Sequence, residues 1–133
     1  MNDKSVQDMV LEFHQVYKMR IGENPEIDIP SKTMRLSLIL EEVKEYVEAL
    51  YEGDLVEVAD ALADLVYVTY GAAIEHGINL DEVIEEVHRS NLSKLHHETN
   101  EPIYREDGKV LKGENYSAPN VEKVLKNQNS LKK

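Results

Sequence analysis

Through the first two thirds of the chain, apolar residues recur at three- and four-residue steps, the period of an amphipathic helix. Val6, Met9, Val10, Phe13 and Tyr17 predict a first helix over residues 5–19. The stretch from Gly22 to Pro30 has two prolines, one glycine and no period, which predicts a loop. Pro30 and Ser31 then open a second helix from about Ser31 to Tyr51, with Met34, Leu38, Ile39, Val43, Val47 and Leu50 facing inward. Glu52-Gly53-Asp54 closes that helix and caps the next.

The third helix, from about Leu55 to His76, differs in kind. Leu55, Val56, Val58, Leu62, Leu65, Val66, Val68 and Ile74 leave little of its circumference polar, a pattern that predicts burial on all sides. Gly77 is a C-terminal stop and Asn79 or Asp81 an N-cap, so a fourth helix runs through Val83, Ile84 and Val87 to about Ser93. Helices joined by such short connections pack antiparallel, which predicts an all-α, four-helix bundle. Past Lys94 the period is lost. Residues 103–113 predict a short hairpin turning at Asp107-Gly108, Pro119 a short last helix with Val121, Val124 and Leu125 on one side, and Asn127 to Lys133 a frayed end.

At 133 residues the chain is expected to be one domain, 1–133, with a helical core of about 5–94 and an extension of about 95–133. Its start lacks the basic and apolar segments of a secretory signal, and no long uncharged apolar run occurs, so a cytoplasmic protein without a membrane span is expected. The net charge of −11 argues against nucleic-acid binding, which depends on cationic contacts to phosphates. Residues 1–87 hold six Lys/Arg against twenty Asp/Glu, and residues 88–133 nine against six: an acidic body with a mildly basic tail.

Placement gives the charges a meaning that their number does not. Glu41, Glu42 and Glu45 stand three and four apart, so their carboxylates emerge together on one face of helix two. Alone, such a set is usually a solvated surface. Glu57, Asp60 and Asp64, however, stand at helical spacing on the helix that reads as buried, with Tyr67 and Gly71 on the same line. Buried carboxylates without cationic partners are costly. A cation supplied from outside resolves the conflict, and an all-oxygen set of this kind suits Mg²⁺, or Mn²⁺. The absence of cysteine excludes thiolate chemistry. No HExxH, phosphate-loop or GxGxxG motif occurs, and His96-His97 reads as a solvated pair in a polar loop.

These residues resemble a known family. EExxE at 41–45, DALADLVYVTYGAAIEHGINLDEVIEEVHRSNLSK at 60–94 and DGKVLKGENY at 107–116 are similar to the MazG-like all-α NTP pyrophosphatases, within them the phosphoribosyl-ATP pyrophosphohydrolase-like branch, some of whose members hydrolyse dUTP. The resemblance implies a homodimer or homotetramer of four-helix modules that cleaves between the α and β phosphates. It implies metal ligation by Glu41, Glu42, Glu45 and Asp64. The family's further glutamate falls on Ala61, so Asp60 or Glu57 must stand in for it, and Asp60 is the expected ligand beside Asp64. It further implies nucleotide contacts from Asn91 and Lys94 beyond helix four. Lys109, Lys112 and Tyr116 either cover the phosphates and base as a lid or belong to a hairpin packed on a neighbouring subunit. In the expected reaction water attacks the α-phosphorus, Glu41 or Glu42 accepts its proton, and Lys94, Lys109 and Lys112 steady the leaving pyrophosphate. The substrate expected is a nucleoside triphosphate, dUTP or a relative of it. Phosphoribosyl-ATP, as in histidine biosynthesis, is the alternative on the same fold. A non-catalytic helical module with an acidic docking face is the alternative from another class.

Overall fold

A computed structural model describes residues 3–131. The element order is α1 (Val6–Val16), α2 (Lys32–Glu52), α3 (Leu55–Glu75), α4 (Leu80–Leu92), β1 (Ile103–Tyr104), β2 (Val110–Leu111) and α5 (Val121–Asn127). The protein is all-α apart from that two-stranded ladder, and it falls into two compact units. One holds everything up to Leu80 together with the stretch from Asn129 on; the other is Asp81–Gln128.

In the first unit the helix ends follow local chemistry. Ser5 caps α1 in a reciprocal box with Asp8, each side chain bonded to the other's backbone N–H at 3.1 Å. Gly53 takes a left-handed φ of 69° after α2, where a side chain would strain, and Asp54 caps α3 by accepting from the Glu57 N–H at 3.2 Å. With so short a link, α3 turns back along α2, and α1 packs on α3. Val10 and Leu11 from α1 meet Tyr70 and Ile74 from α3 in the core. Leu131 joins them at 5 % exposure, so the predicted fraying does not hold there; Lys132 and Lys133 lie outside the described residues. Burying one leucine is worth about 1.5–3 kcal/mol. Asn79 helps hold the returning strand, accepting from Gln7 Nε2 at 2.9 Å and donating to the Asn129 carbonyl at 3.3 Å.

The predicted burial of α2 and α3 is corrected. Met34, Val43, Val47 and Leu50 on α2 are exposed, as are Leu62 and Val66 on α3, and Leu55 and Val56 are more than three quarters exposed. The first helix ends at Val16, short of the expected residue 19; along it Val6, Met9 and Phe13, and Tyr17 just after it, are exposed while Val10 is buried. The helical period was read correctly, but three helices of this length cannot cover a helix on all sides.

In the second unit, α4 and α5 are tied through Glu86. Arg89 donates to both its carboxylate oxygens at 2.7 and 3.0 Å, and the Asn120 N–H adds a third bond at 2.6 Å. Ile103 pairs with Leu111 and Tyr104 with Val110 across the expected hairpin, whose turn has Gly108 at φ 90°. Among the described residues no helix is long and apolar enough to cross a membrane.

Candidate metal centre

Because α2 and α3 run antiparallel, falling numbers on one helix face rising numbers on the other. Arg35 and Ser31 of the first unit meet Glu75, Arg35 lies against Gly71, and Glu42 and Glu45 meet Asp64. Oxygens of Glu42, Glu45 and Asp64 lie within 4.8 Å of one another, and among the described residues this is the group of acidic or imidazole side chains arranged to hold a metal ion. Helical spacing makes the arrangement: Glu42 and Glu45 are one turn apart on α2, and Asp60 and Asp64 one turn apart on α3.

The electrostatics of this group are those of an incomplete site. Oε2 of Glu42 is buried and accepts no hydrogen bond. Removal from water pushes the Glu42 carboxyl up to about 7, reinforced by hydrogen bonding with Glu45 and by repulsion from Glu45, Asp64 and Asp60. Asp64 is raised as well, by desolvation first, then by the charges of Asp60 and Glu45 and a hydrogen bond with Asp60. An orphaned oxygen among mutually repelling carboxylates matches what a hard divalent cation requires: oxygen ligands and negative charge. The residues present therefore fit Mg²⁺ or Mn²⁺.

The other sequence-predicted residues fall variously. Asp60 stands beside Asp64 and acts on both Glu42 and Asp64. Glu57 is exposed in the first turn of α3, its N–H on the Asp54 cap. Ala61 is buried at 2 % exposure and offers no ligand. Glu41 is exposed and outside the three-carboxylate group. Asn91, Lys94, Lys109, Lys112 and Tyr116 all belong to the second unit. Asn91 lies within the last turn of α4 and not beyond the helix as expected. The Lys94 carbonyl accepts from the Gly113 N–H at 2.9 Å, and the Lys112 ammonium sits 4.6 Å from the centre of the Tyr116 ring. His96 and His97 stack at 4.7 Å in an irregular segment, with His97 exposed and its Nε2 3.2 Å from the exposed Glu114.

A second polar group escaped the sequence reading. Arg35 and Glu75, each about 5 % exposed or less, form a buried ion pair through Arg35 Nε and Glu75 Oε2. Ser31 Oγ donates to Glu75 Oε1 at 2.7 Å; the residue expected to cap α2 uses its hydroxyl there and makes no side-chain cap. His14, 1 % exposed, donates from Nδ1 to the Arg20 carbonyl at 3.0 Å. Gly71 leaves room for this group, since a Cβ there would run into Arg35 Nη1 and come within 3.3 Å of His14 Nε2. One signal was present in the sequence: Arg35 stands on the same stripe of α2 as Leu38, Glu42 and Glu45, a lone cation on an inward line.

The family model described as phosphoribosyl-ATP pyrophosphohydrolase matches residues 10–91, more than half of the chain, including the whole of α2 and α3 with Glu42, Glu45 and Asp64. A protein of Acanthamoeba polyphaga mimivirus, described as uncharacterized, is 48% identical over 59 residues, which are 44% of this chain. The match spans only 22% of that viral protein's length.

Proposed function

From a chain that belongs to the phosphoribosyl-ATP pyrophosphohydrolase family, within the MazG-like all-α NTP pyrophosphatases, we propose an enzyme that hydrolyses a nucleoside triphosphate, dUTP or a related nucleotide, to the monophosphate and pyrophosphate. The observation that carries this reading is the convergence of Glu42, Glu45 and Asp64 around a buried Glu42 oxygen that has no hydrogen-bond partner among the described residues.

A divalent cation bound there, Mg²⁺ or Mn²⁺, would supply positive charge to the phosphates and acidity to water. The chain's own part is to hold Glu42, Glu45 and Asp64 together, with Asp60 beside them, in a setting that disfavours their charge until it is neutralised. Glu42, where it is not committed to the metal, would accept a proton from water. Glu41, one residue earlier, is the alternative acceptor. Lys94, Lys109 and Lys112 are proposed donors to phosphate oxygens, and Asn91 and Tyr116 proposed nucleotide contacts. We read the whole chain as one catalytic module. A homodimer or homotetramer is supported by the exposed apolar residues along α1 to α3, which a second copy would remove from water. The family match itself favours a second reading, phosphoribosyl-ATP as substrate.

Pyrophosphate release from a panel of NTPs, dNTPs and phosphoribosyl-ATP, with Mg²⁺, Mn²⁺ or EDTA, tests the proposal. The expected result is metal-dependent pyrophosphate from one or a few of them, reduced about a hundredfold or more in Glu45→Gln and Asp64→Asn, the scale on which charged catalytic groups act. Orthophosphate instead, or no product from any nucleotide, overturns it in favour of a non-catalytic module.

A further inference from the structure

One cavity of the first unit lies next to the carboxylates without including them. It has a volume of about 290 Å³ and is lined by Phe13, His14, Arg35, Leu38, Tyr67 and Val68 among others. Leu38 precedes Glu42 by one turn on α2, and Tyr67 follows Asp64 by one turn on α3, so the cavity begins about 6 Å along the seam from the carboxylates, at ~1.5 Å of rise per residue. That is the reach of one ribose between a base and its first phosphate. The volume sits at the low end of the roughly 300–1,000 Å³ typical of small-molecule sites, room for a heterocycle but not for a whole nucleotide.

Its chemistry is apolar with two polar groups set deep. Phe13 and Tyr67 stand edge to face, ring centres 5.7 Å apart, at the mouth, each 37% exposed. The buried polar groups are His14 and Arg35. Since a carbonyl can only accept, the bond from His14 to Arg20 puts the proton on Nδ1. Burial lowers the pKa of His14, with Arg35 adding to the effect, so the ring is neutral and Nε2 carries a lone pair. Among the described residues that nitrogen has no hydrogen-bond partner; it points to the wall formed by Gly71. Beside it the Arg35 guanidinium can only donate.

We propose that this cavity seats the nucleobase of the substrate, its face against Phe13 and Tyr67, its edge read by one acceptor, His14 Nε2, and one donor, Arg35. The proposal rests on the nucleotide reading of the carboxylate site and extends it to specificity. A neutral acceptor beside a donor calls for a base edge that offers an N–H next to a carbonyl or ring nitrogen. Apolar walls with two buried polar groups also penalise any ligand that leaves those groups unpaired, which is how such sites discriminate.

The test is binding, kept separate from turnover. Uridine 5′-monophosphate, its N3-methyl analogue and ribose 5-phosphate are titrated calorimetrically into the full chain with Mg²⁺. The expected order is the nucleotide tightest, with about tenfold or more lost on N-methylation or removal of the base. Val68→Phe, which fills the cavity, should abolish the advantage of the nucleotide over the sugar phosphate. His14→Asn can place its amide N–H where Nδ1 donates to the Arg20 carbonyl but has no atom at the position of Nε2, and should erase the methyl discrimination. The Mg²⁺-induced rise in Tm reports that each variant is folded with its carboxylates intact. Equal binding of nucleotide and sugar phosphate by the wild type, or unchanged binding in two folded variants, overturns the base site. Failure of the pyrophosphohydrolase reading is a different result, the absence of pyrophosphate release by the wild type.

Discussion

At one end of the seam between α2 and α3, Arg35 meets Glu75, and Ser31 donates to the second Glu75 oxygen. At the other end, Glu42 and Glu45 meet Asp64 and no cation. Both ends gather charge between the same two helices, so the difference lies in what completes them. At the Arg35 end the opposite charges compensate each other within the chain, although Arg35 Nε and Glu75 Oε2 make no well-directed hydrogen bond. The Glu42 end raises its own pKa and leaves an oxygen unsatisfied, which stability alone does not explain. Glu86 in the second unit sharpens the contrast: with two bonds from Arg89 and one from the Asn120 N–H, its carboxyl is held down to about 2. The same side chain is a fastening where donors surround it and an invitation to a ligand where they do not.

Breaking the complete end should have the largest effect on folding. Arg35→Ala leaves Glu75 buried without its cation and is expected to cost about 3–5 kcal/mol in denaturant unfolding. Glu42→Gln acts on the incomplete end, and there the sign reverses: with repulsion removed, the metal-free protein should be as stable as the wild type or more so, while Mg²⁺ should no longer raise its Tm fully. If Glu42→Gln destabilised the metal-free protein as Arg35→Ala does, the carboxylate group would be structural and the contrast would be wrong.

Opposite pKa shifts predict opposite pH limbs. The folded pKa of Glu42 lies above its ordinary 4.5, so in the metal-free protein the native state binds more protons between about 4.5 and 7, and stability falls as pH rises through that window. The folded pKa of Glu86 lies below 4.5, so its contribution is complete above that value and is lost as pH falls toward 2. Metal-free Tm should therefore climb on acidification from neutrality and then turn down below about pH 4.5. Metal binding should release protons and flatten the upper limb. A metal-free Tm that fell steadily from pH 7 downward would contradict the raised carboxyl.

Much of this was legible in the sequence because helical spacing is a local rule. The all-α class, the helix stops at Gly53 and Gly77, the hairpin at Asp107-Gly108 and the pairing of Glu42 with Glu45 all follow from residues one turn or one tight turn apart; Asp64 reaches them through the short link that turns α3 back along α2. Burial was not legible in the same way. The apolar sides of α2 and α3 specify a covered face, but the periodicity does not say what covers it, so Leu55, Val56 and Leu62 were placed inside and are exposed. Long-range pairings also left no periodic trace: Arg35 with Glu75 and Leu131 with Val10 join distant positions. Asp60 and Glu57 could not be separated by spacing alone, since both stand on the ladder that leads to Asp64; both are exposed and outside the three-carboxylate group, and Asp60 is the one whose charge acts on Glu42.

The smallest expected effect tests whether the fastening in the second unit is independent of the carboxylates in the first. Asn120 caps the short α5 by accepting from the Lys123 N–H at 3.2 Å, while its own N–H serves Glu86. Asn120→Ala keeps the backbone bond and removes the side-chain cap, an expected loss of about 1 kcal/mol. A seven-residue helix is too short to hold without its ends tied, so amide exchange should quicken across Val121–Asn127. Mg²⁺ affinity, read from the Tm rise with added metal, should stay at the wild-type value, because none of the atoms that gather at Glu42 belongs to this helix. A weakened Mg²⁺ response in Asn120→Ala would mean that the two glutamates belong to one cooperative unit, and that the opposite directions of their pKa shifts come from a shared network instead of from two separate local environments.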